Sequence, residues 1–219
     1  MQVAKLVERV LEHVTNVVKR KIEQRQDIGV AVVIVSRVWE PKVKVDTGNF
    51  MSNRHVEKGC LMALVEPTYG PHIVRIGKTA IPPEILYTDP EDPTYGYDEE
   101  PHVTLKYGFL PDLNKRNVAS ILRGIKPFNI VLNALSQFNN DKYDVVKFDV
   151  DKNNVPLMEL RNRCDRYPND DSYPNYHPHM TMAYVQKGKF PHTKNGLNIV
   201  LPITRFKYSG PQGKYYINL

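Results

Sequence analysis

The chain has 219 residues, is 41% hydrophobic and 25% charged, and carries a net charge of +6; this suffices for one sizeable core or two small ones and is ordinary for a soluble globular protein. The longest apolar run, residues 30–35, is too short to span a bilayer, so no membrane partner and no signal peptide are expected. The positive charge favours an anionic partner, and two cysteines without metal-ligand spacing, Cys60 and Cys164, fit a reduced cytoplasmic setting in which both are small buried residues.

Over residues 2–25 the apolar positions Val3, Leu6, Val7, Val10, Leu11, Val14, Val17, Val18 and Ile22 recur at helical spacing and predict an amphipathic helix. Its stripe is expected to pack on the domain or on a second subunit, which makes it the candidate for homo-oligomerisation. Its charged face is read as solvated in preference to a nucleic-acid or membrane surface. Residues 29–39 read as a β-branched strand, residues 42–45 as a second strand or extended arm, and Asp46-Thr47-Gly48-Asn49 as a turn that lacks phosphate-loop spacing. Trp39 is assigned to packing. The division adopted is residues 1–56 as an N-terminal helix and strand extension and residues 57–219 as the main domain.

Residues 59–66 make a short apolar strand that opens the first lobe of that domain, and the prolines at 82 and 83 start a short helix over 81–87. Residues 88–100 form an acidic loop holding Asp89, Glu91, Asp92, Asp98, Glu99 and Glu100 and no basic residue. Tyr95 and Tyr97 in it are candidates to stack on a base, and a carboxylate is a candidate to tune a histidine. Acid beside a phosphate site repels substrate, so most of these side chains are expected to point away. After the strand 101–107 come a helix over 114–123 ended by Gly124, strands 128–138 and 143–150, and a helix from Pro156 to about residue 166. Its Arg161, Arg163 and Arg166 are read as solvated more readily than as phosphate contacts. A second turn-rich loop, 167–178, carries Tyr176 as a further substrate-binding candidate, and strands 199–208 and 215–219 close the chain as a hairpin.

One heptad occurs twice, Pro101-His102-Val103-Thr104-Leu105-Lys106-Tyr107 and Pro178-His179-Met180-Thr181-Met182-Ala183-Tyr184. The period of a strand puts His102 with Thr104 on one face and His179 with Thr181 likewise. Val103, Leu105, Tyr107, Met180, Met182 and Tyr184 are then expected to face the core, and the tyrosines receive no catalytic role. A single copy has a bland reading as a satisfied core histidine. A repeat brings equivalent strands together about a pseudo-two-fold axis and gathers two His and two Thr around one cleft. Two imidazoles can divide acid and base duty near neutral pH, and two Thr hydroxyls can donate to non-bridging phosphate oxygens. His102, Thr104, His179 and Thr181 are therefore the catalytic candidates. The heptads offer two good metal ligands and no Asp, Glu or Cys, so neither a metal nor any other cofactor is expected. His177 is excluded, because Pro178 argues against a strand that begins early enough to include it.

The pattern His-apolar-Thr-apolar, twice in one chain, resembles the signature of the 2H phosphoesterase superfamily. The contexts 99–108 and 176–185 are similar to its phage-encoded branch, which includes the anti-CBASS nucleases that degrade cyclic oligonucleotide alarm signals of bacterial antiphage defence. The resemblance runs over residues 58–219. It implies an α+β, two-lobed, LigT-like fold with pseudo-two-fold symmetry, each lobe an antiparallel sheet with helices. It further implies a metal-independent phosphodiesterase that cleaves 3′–5′ bonds of cyclic di- or trinucleotides, serving viral evasion in the host cytoplasm. Two alternatives stand beside it: a 2′,3′-cyclic phosphodiesterase acting on the ends of short RNA, and a virion or interaction protein whose domain binds nucleotides without turnover. The main domain has no Trp to serve as a base-stacking platform, and strand 203–208 lacks the acidic residue expected for a base contact, which leaves nucleotide preference open.

Overall fold

The structure is a computed structural model and describes residues 43–45, 58–111, 113–170, 175–191 and 196–219. Contacts divide the chain after Glu40, and every described residue lies in the second unit. The helix expected at 2–25, the strand at 29–39 and the turn at 46–49 lie outside the described residues.

Eight strands among the described residues form one sheet with antiparallel pairing throughout: β1 (Val43–Val45), β2 (Gly59–Val65), β3 (His102–Phe109), β4 (Phe128–Asn139), β5 (Tyr143–Val150), β6 (His179–Gln186), β7 (Gly196–Gly210) and β8 (Gly213–Asn218). The long strand β7 joins two wings. Its first half pairs with β4, which continues through β5 to β6; its second half pairs with β2, which carries β3, and with β8, which carries β1. Through β1 the sheet takes up a strand from the segment assigned to the extension. Each motif strand thus ends its own wing. The architecture is α+β, as the sequence predicts, with the core built from fully buried Leu61, Ala63, Val103, Leu105, Ile130, Val146, Met180, Leu201 and Ile203. Burial of each large aliphatic side chain contributes roughly 1.5–3 kcal/mol.

Three helices cover the sheet among the described residues. The first, α1 (Gly70–Ala80), has Pro71 in its first turn and buries Ile73, Ile76 and Ala80 at helical spacing. No helix was expected there, because Gly70, Pro71 and Gly77 dilute the local pattern; only the prediction at 81–87 survives nearby, as a single 3₁₀ turn, Pro83–Ile85. In α2 (Lys115–Ile121) Asn114 caps the N-terminus and exchanges bonds with Asn117 in a reciprocal box. In α3 (Val155–Cys164) Asn154 accepts from Leu157 N–H.

The two halves are interlocked. Helix α1, which precedes β3 in the chain, packs on β6, and α3, which precedes β6, packs on β3. The loops cross over in the same way. Asp98 N–H donates to Met182 O at 2.9 Å and Tyr184 N–H to Gly96 O at 2.8 Å, while Asp170 N–H donates to Gly108 O at 2.8 Å and Leu110 N–H to Pro168 O at 3.1 Å. Gly108 is required by this crossing: its φ is +99°, and a Cβ there would stand 2.2 Å from Asp170 O.

Candidate active site

Both motif strands carry a β-bulge at the same place. Across β2, Met62 faces Thr104 and Leu61 faces Lys106, so Leu105 is the extra residue; across β5, Lys147 faces Thr181 and Val146 faces Ala183, so Met182 is the extra one. Each bulge follows the threonine directly. Up to it the alternation holds: His102, Thr104, His179 and Thr181 are half-buried, and Val103, Leu105, Met180 and Met182 are buried. Beyond it the faces exchange. Lys106 turns under the sheet, 2% exposed, and its Nζ donates to Asp165 Oδ1 at 2.7 Å.

Tyr107 consequently does not reach the core. It is 37% exposed and stands on the face of Thr104, a correction to the simple period of two. Tyr184 is likewise displaced onto the face of Thr181, half-buried, and packs against Tyr95 and Tyr143.

The two histidines are held alike. His102 Nδ1 lies 2.7 Å from Glu100 O, and His179 Nδ1 lies 2.7 Å from His177 O. A carbonyl only accepts, so Nδ1 carries the hydrogen in both rings, and Nε2 is the bare nitrogen of each neutral imidazole. His177 therefore takes part through its backbone, while its side chain is exposed.

Their surroundings differ. Asp98 Oδ2 stands 3.5 Å from His102 Nδ1. Burial holds the Asp98 carboxyl above its ordinary range, and His102 pulls it back down. Asp98 is thus the carboxylate of the acidic loop that meets a histidine, whereas Glu91 is exposed and Glu99 is turned to Lys78 at 2.7 Å. His179 has the Phe138 ring edge-on at 4.9 Å. Burial pushes His179 below the usual imidazole value, Lys147 and His102 push it the same way, and the His177 carbonyl and Asp149 oppose them. Strands β3 and β6, which carry the two rings, are in contact.

A second circle of polar groups fixes the strands. Lys147, buried beside Thr181, donates to Ser136 Oγ at 2.7 Å and to Asp149, and its Nζ lies 4.2 Å from the centroid of the Phe138 ring. Across β2 from Thr104, Lys207 donates to Glu100, which also accepts from Tyr216 Oη at 3.1 Å. Glu100 is the residue whose carbonyl holds His102. Burial pushes the Cys60 thiol up to about 12, with Thr104 and Lys207 opposing it. Lys147 and Lys207 escaped sequence analysis, although Lys147 is a lone cation in its strand.

Of the three tyrosines singled out for substrate, Tyr176 donates from Oη to Thr104 O at 3.0 Å with the Arg161 guanidinium 5.0 Å from its ring centroid. Tyr97 donates to Ile81 O at 2.6 Å, and Tyr95 is in ring contact with Tyr87, Tyr143 and Tyr184. Arg161 and Arg163 are not solvated: Arg161 donates to Leu105 O at 3.0 Å, and Arg163 to Ile121 O, Arg123 O and Glu159. Among the described residues no three His, Cys, Asp or Glu side chains gather as metal ligands. No described helix is long and apolar enough to cross a membrane. Cys164 is buried as expected, and Cys60 is half-buried.

Residues 86–194, which hold both motif strands, match the family model of the 2′-5′ RNA ligase superfamily. No curated protein sequence matches the chain. Among solved structures, Escherichia coli LigT complexed with 3′-AMP superposes with a TM-score of 0.53 at 17% identity, over 75% of this chain and 95% of LigT. A protein of Thermus thermophilus gives a TM-score of 0.50 at 16% identity, over 74% of this chain and 94% of its own. A structure described as a phosphoesterase gives 0.51 at 16% identity, with 75% and 95% covered. The fold is LigT-like.

Proposed function

We propose that this protein is a metal-independent phosphodiesterase that cleaves 3′–5′ bonds with its two His-x-Thr pairs. The observation that carries the reading is the matched tethering of His102 and His179 by Nδ1 to a carbonyl two residues back, which bares Nε2 of each ring, His102 on the face of Thr104 and His179 on the face of Thr181, on two strands that are in contact. The superfamily match over residues 86–194 supports the same chemistry.

The asymmetry of the two rings assigns their duties. His179, kept neutral by burial, is the base: its Nε2 takes the proton of the substrate's 2′-hydroxyl, whose oxygen attacks phosphorus. His102, with Asp98 against its Nδ1 to offset a positive ring, is the acid: its Nε2 proton goes to the 5′-oxygen as the P–O bond breaks. Thr104 and Thr181 donate to the non-bridging oxygens as negative charge builds on them. The first product is a 2′,3′-cyclic phosphate, which water opens with the two duties exchanged.

The substrate we propose is a cyclic di- or trinucleotide, on the resemblance of the two heptads and their flanks to the anti-CBASS nucleases; the setting is viral evasion of that defence. The test is incubation in EDTA with cyclic di- and trinucleotides and with an RNA ending in a 2′,3′-cyclic phosphate, with His102→Ala and His179→Ala alongside. Cleavage of the cyclic oligonucleotides that each variant lowers by at least about a hundredfold is the expected result. Opening of the RNA end alone would move the substrate to RNA termini. Binding without any turnover would overturn the catalytic reading.

A further inference from the structure

We infer that Arg205 forms a second phosphate subsite beside His102, one that holds a non-scissile phosphate of a substrate with at least two; this rests on the phosphodiesterase reading above. The register places it. Leu64 on β2 pairs with His102 on one side and with Arg205 on the other, so the three share a face, and Arg205 stands two strand spacings, about 10 Å, from His102.

Arg205 borders a cavity of about 370 Å³ whose wall includes Leu64, Val65, Val74, Glu99 and Glu100. The carboxylates of that wall are already matched. Glu99 is paired with Lys78 at 2.7 Å, and Glu100 with Lys207 and the Tyr216 hydroxyl. Among the described residues Arg205 is the cation in the wall left without an anion: its guanidinium lies 5.5 Å from the Tyr216 ring centroid, and its buried Nε makes no hydrogen bond there.

Among the described arginines that are not exposed, Arg161 and Arg163 have donors committed to carbonyls and carboxylates, and Arg205 differs from both. A buried donor without a partner is costly, and a planar fork of donors backed by an aromatic face matches a phosphate in geometry and charge. A carboxylate would meet the charge too, yet the site abuts the residue that holds His102, where the polynucleotide backbone must pass. A substrate with one phosphate fills the histidine site alone; a dinucleotide or longer chain fills both.

The test is calorimetric titration of the full chain with adenosine 3′,5′-bisphosphate and with adenosine 3′-monophosphate, at one fixed salt concentration. The bisphosphate should bind roughly tenfold or more tighter in wild type. Arg205→Ala should bring that ratio to about one, and Arg205→Lys, which keeps the charge and loses the fork, should leave it between. Equal affinities in wild type, no binding of the bisphosphate, or an unchanged ratio in a folded Arg205→Ala would each overturn the subsite. Turnover is not needed for this readout, so failure of the phosphodiesterase reading shows separately, as absence of cleavage in EDTA.

Discussion

Two glycines with nearly the same backbone angle separate backbone strain from interlocking of the halves. Gly96 has φ +98° and open space where a Cβ would go; Gly108 has φ +99°, and its Cβ would meet Asp170 O at 2.2 Å. Alanine at Gly96 should cost only the positive-φ penalty, about 1–2 kcal/mol. Alanine at Gly108 adds a collision with backbone that no side-chain rotation relieves, about 1–3 kcal/mol more. For a domain of this size the extra loss corresponds to a Tm about 2–12 °C below that of Gly96→Ala. The carbonyl of Gly108 accepts from Asp170, and the chain beyond it leads to Tyr176, whose hydroxyl donates to Thr104 O. Turnover by Gly108→Ala should therefore fall further than turnover by Gly96→Ala at a temperature where both are folded. Thermal unfolding followed by circular dichroism reads the first effect, and amide exchange at Asp170 locates it. Equal Tm losses for the two variants would refute the argument that this crossing is rigid.

Two further predictions follow from the charges. Protonation of His179 opposes its burial, so the unfolded chain binds that proton more readily; stability should be full above about pH 6.5 and decline as pH falls from there towards the lowered native value. Denaturant melts between pH 5 and 7.5 should show this slope in wild type and not in His179→Gln, and in Lys147→Met the imidazole resonance should titrate at higher pH, because a cation that pushes it down is gone. The thiols of Cys60 and Cys164 are both pushed up to about 12 from an ordinary 9.0, which leaves about a thousandfold less thiolate. Alkylation at pH 8 should be slower in the native protein by about that factor than in urea, and native Cys60 reacting at the unfolded rate would contradict the burial that raises it.

The sequence by itself determined the motif strands, their His and Thr face, the strand order along the chain and most helix ends, because each depends on a short local period. Alternation of polar and apolar residues is a property of one strand, and Asn114 and Asn154 cap helices within three residues of themselves. Tyr107 shows where that reasoning stops. A bulge is defined by the partner strand, and nothing between Thr104 and Tyr107 announces that β2 skips Leu105. Helix α1 was missed for a related reason: its packing on β6 overrides the glycines and proline of its own sequence.

The difference between the two histidines belongs largely to the tertiary structure. The heptads are nearly symmetric, and Phe138, Lys147 and Arg205 come from other strands by long-range pairing, while Asp98, only four residues before His102, is held by the bond of its N–H to Met182 O. A loop of many carboxylates cannot say which one turns inward. Burial and charge at a given nitrogen depend on which residues chain closure brings within a few ångströms of it, and only the folded register sets that.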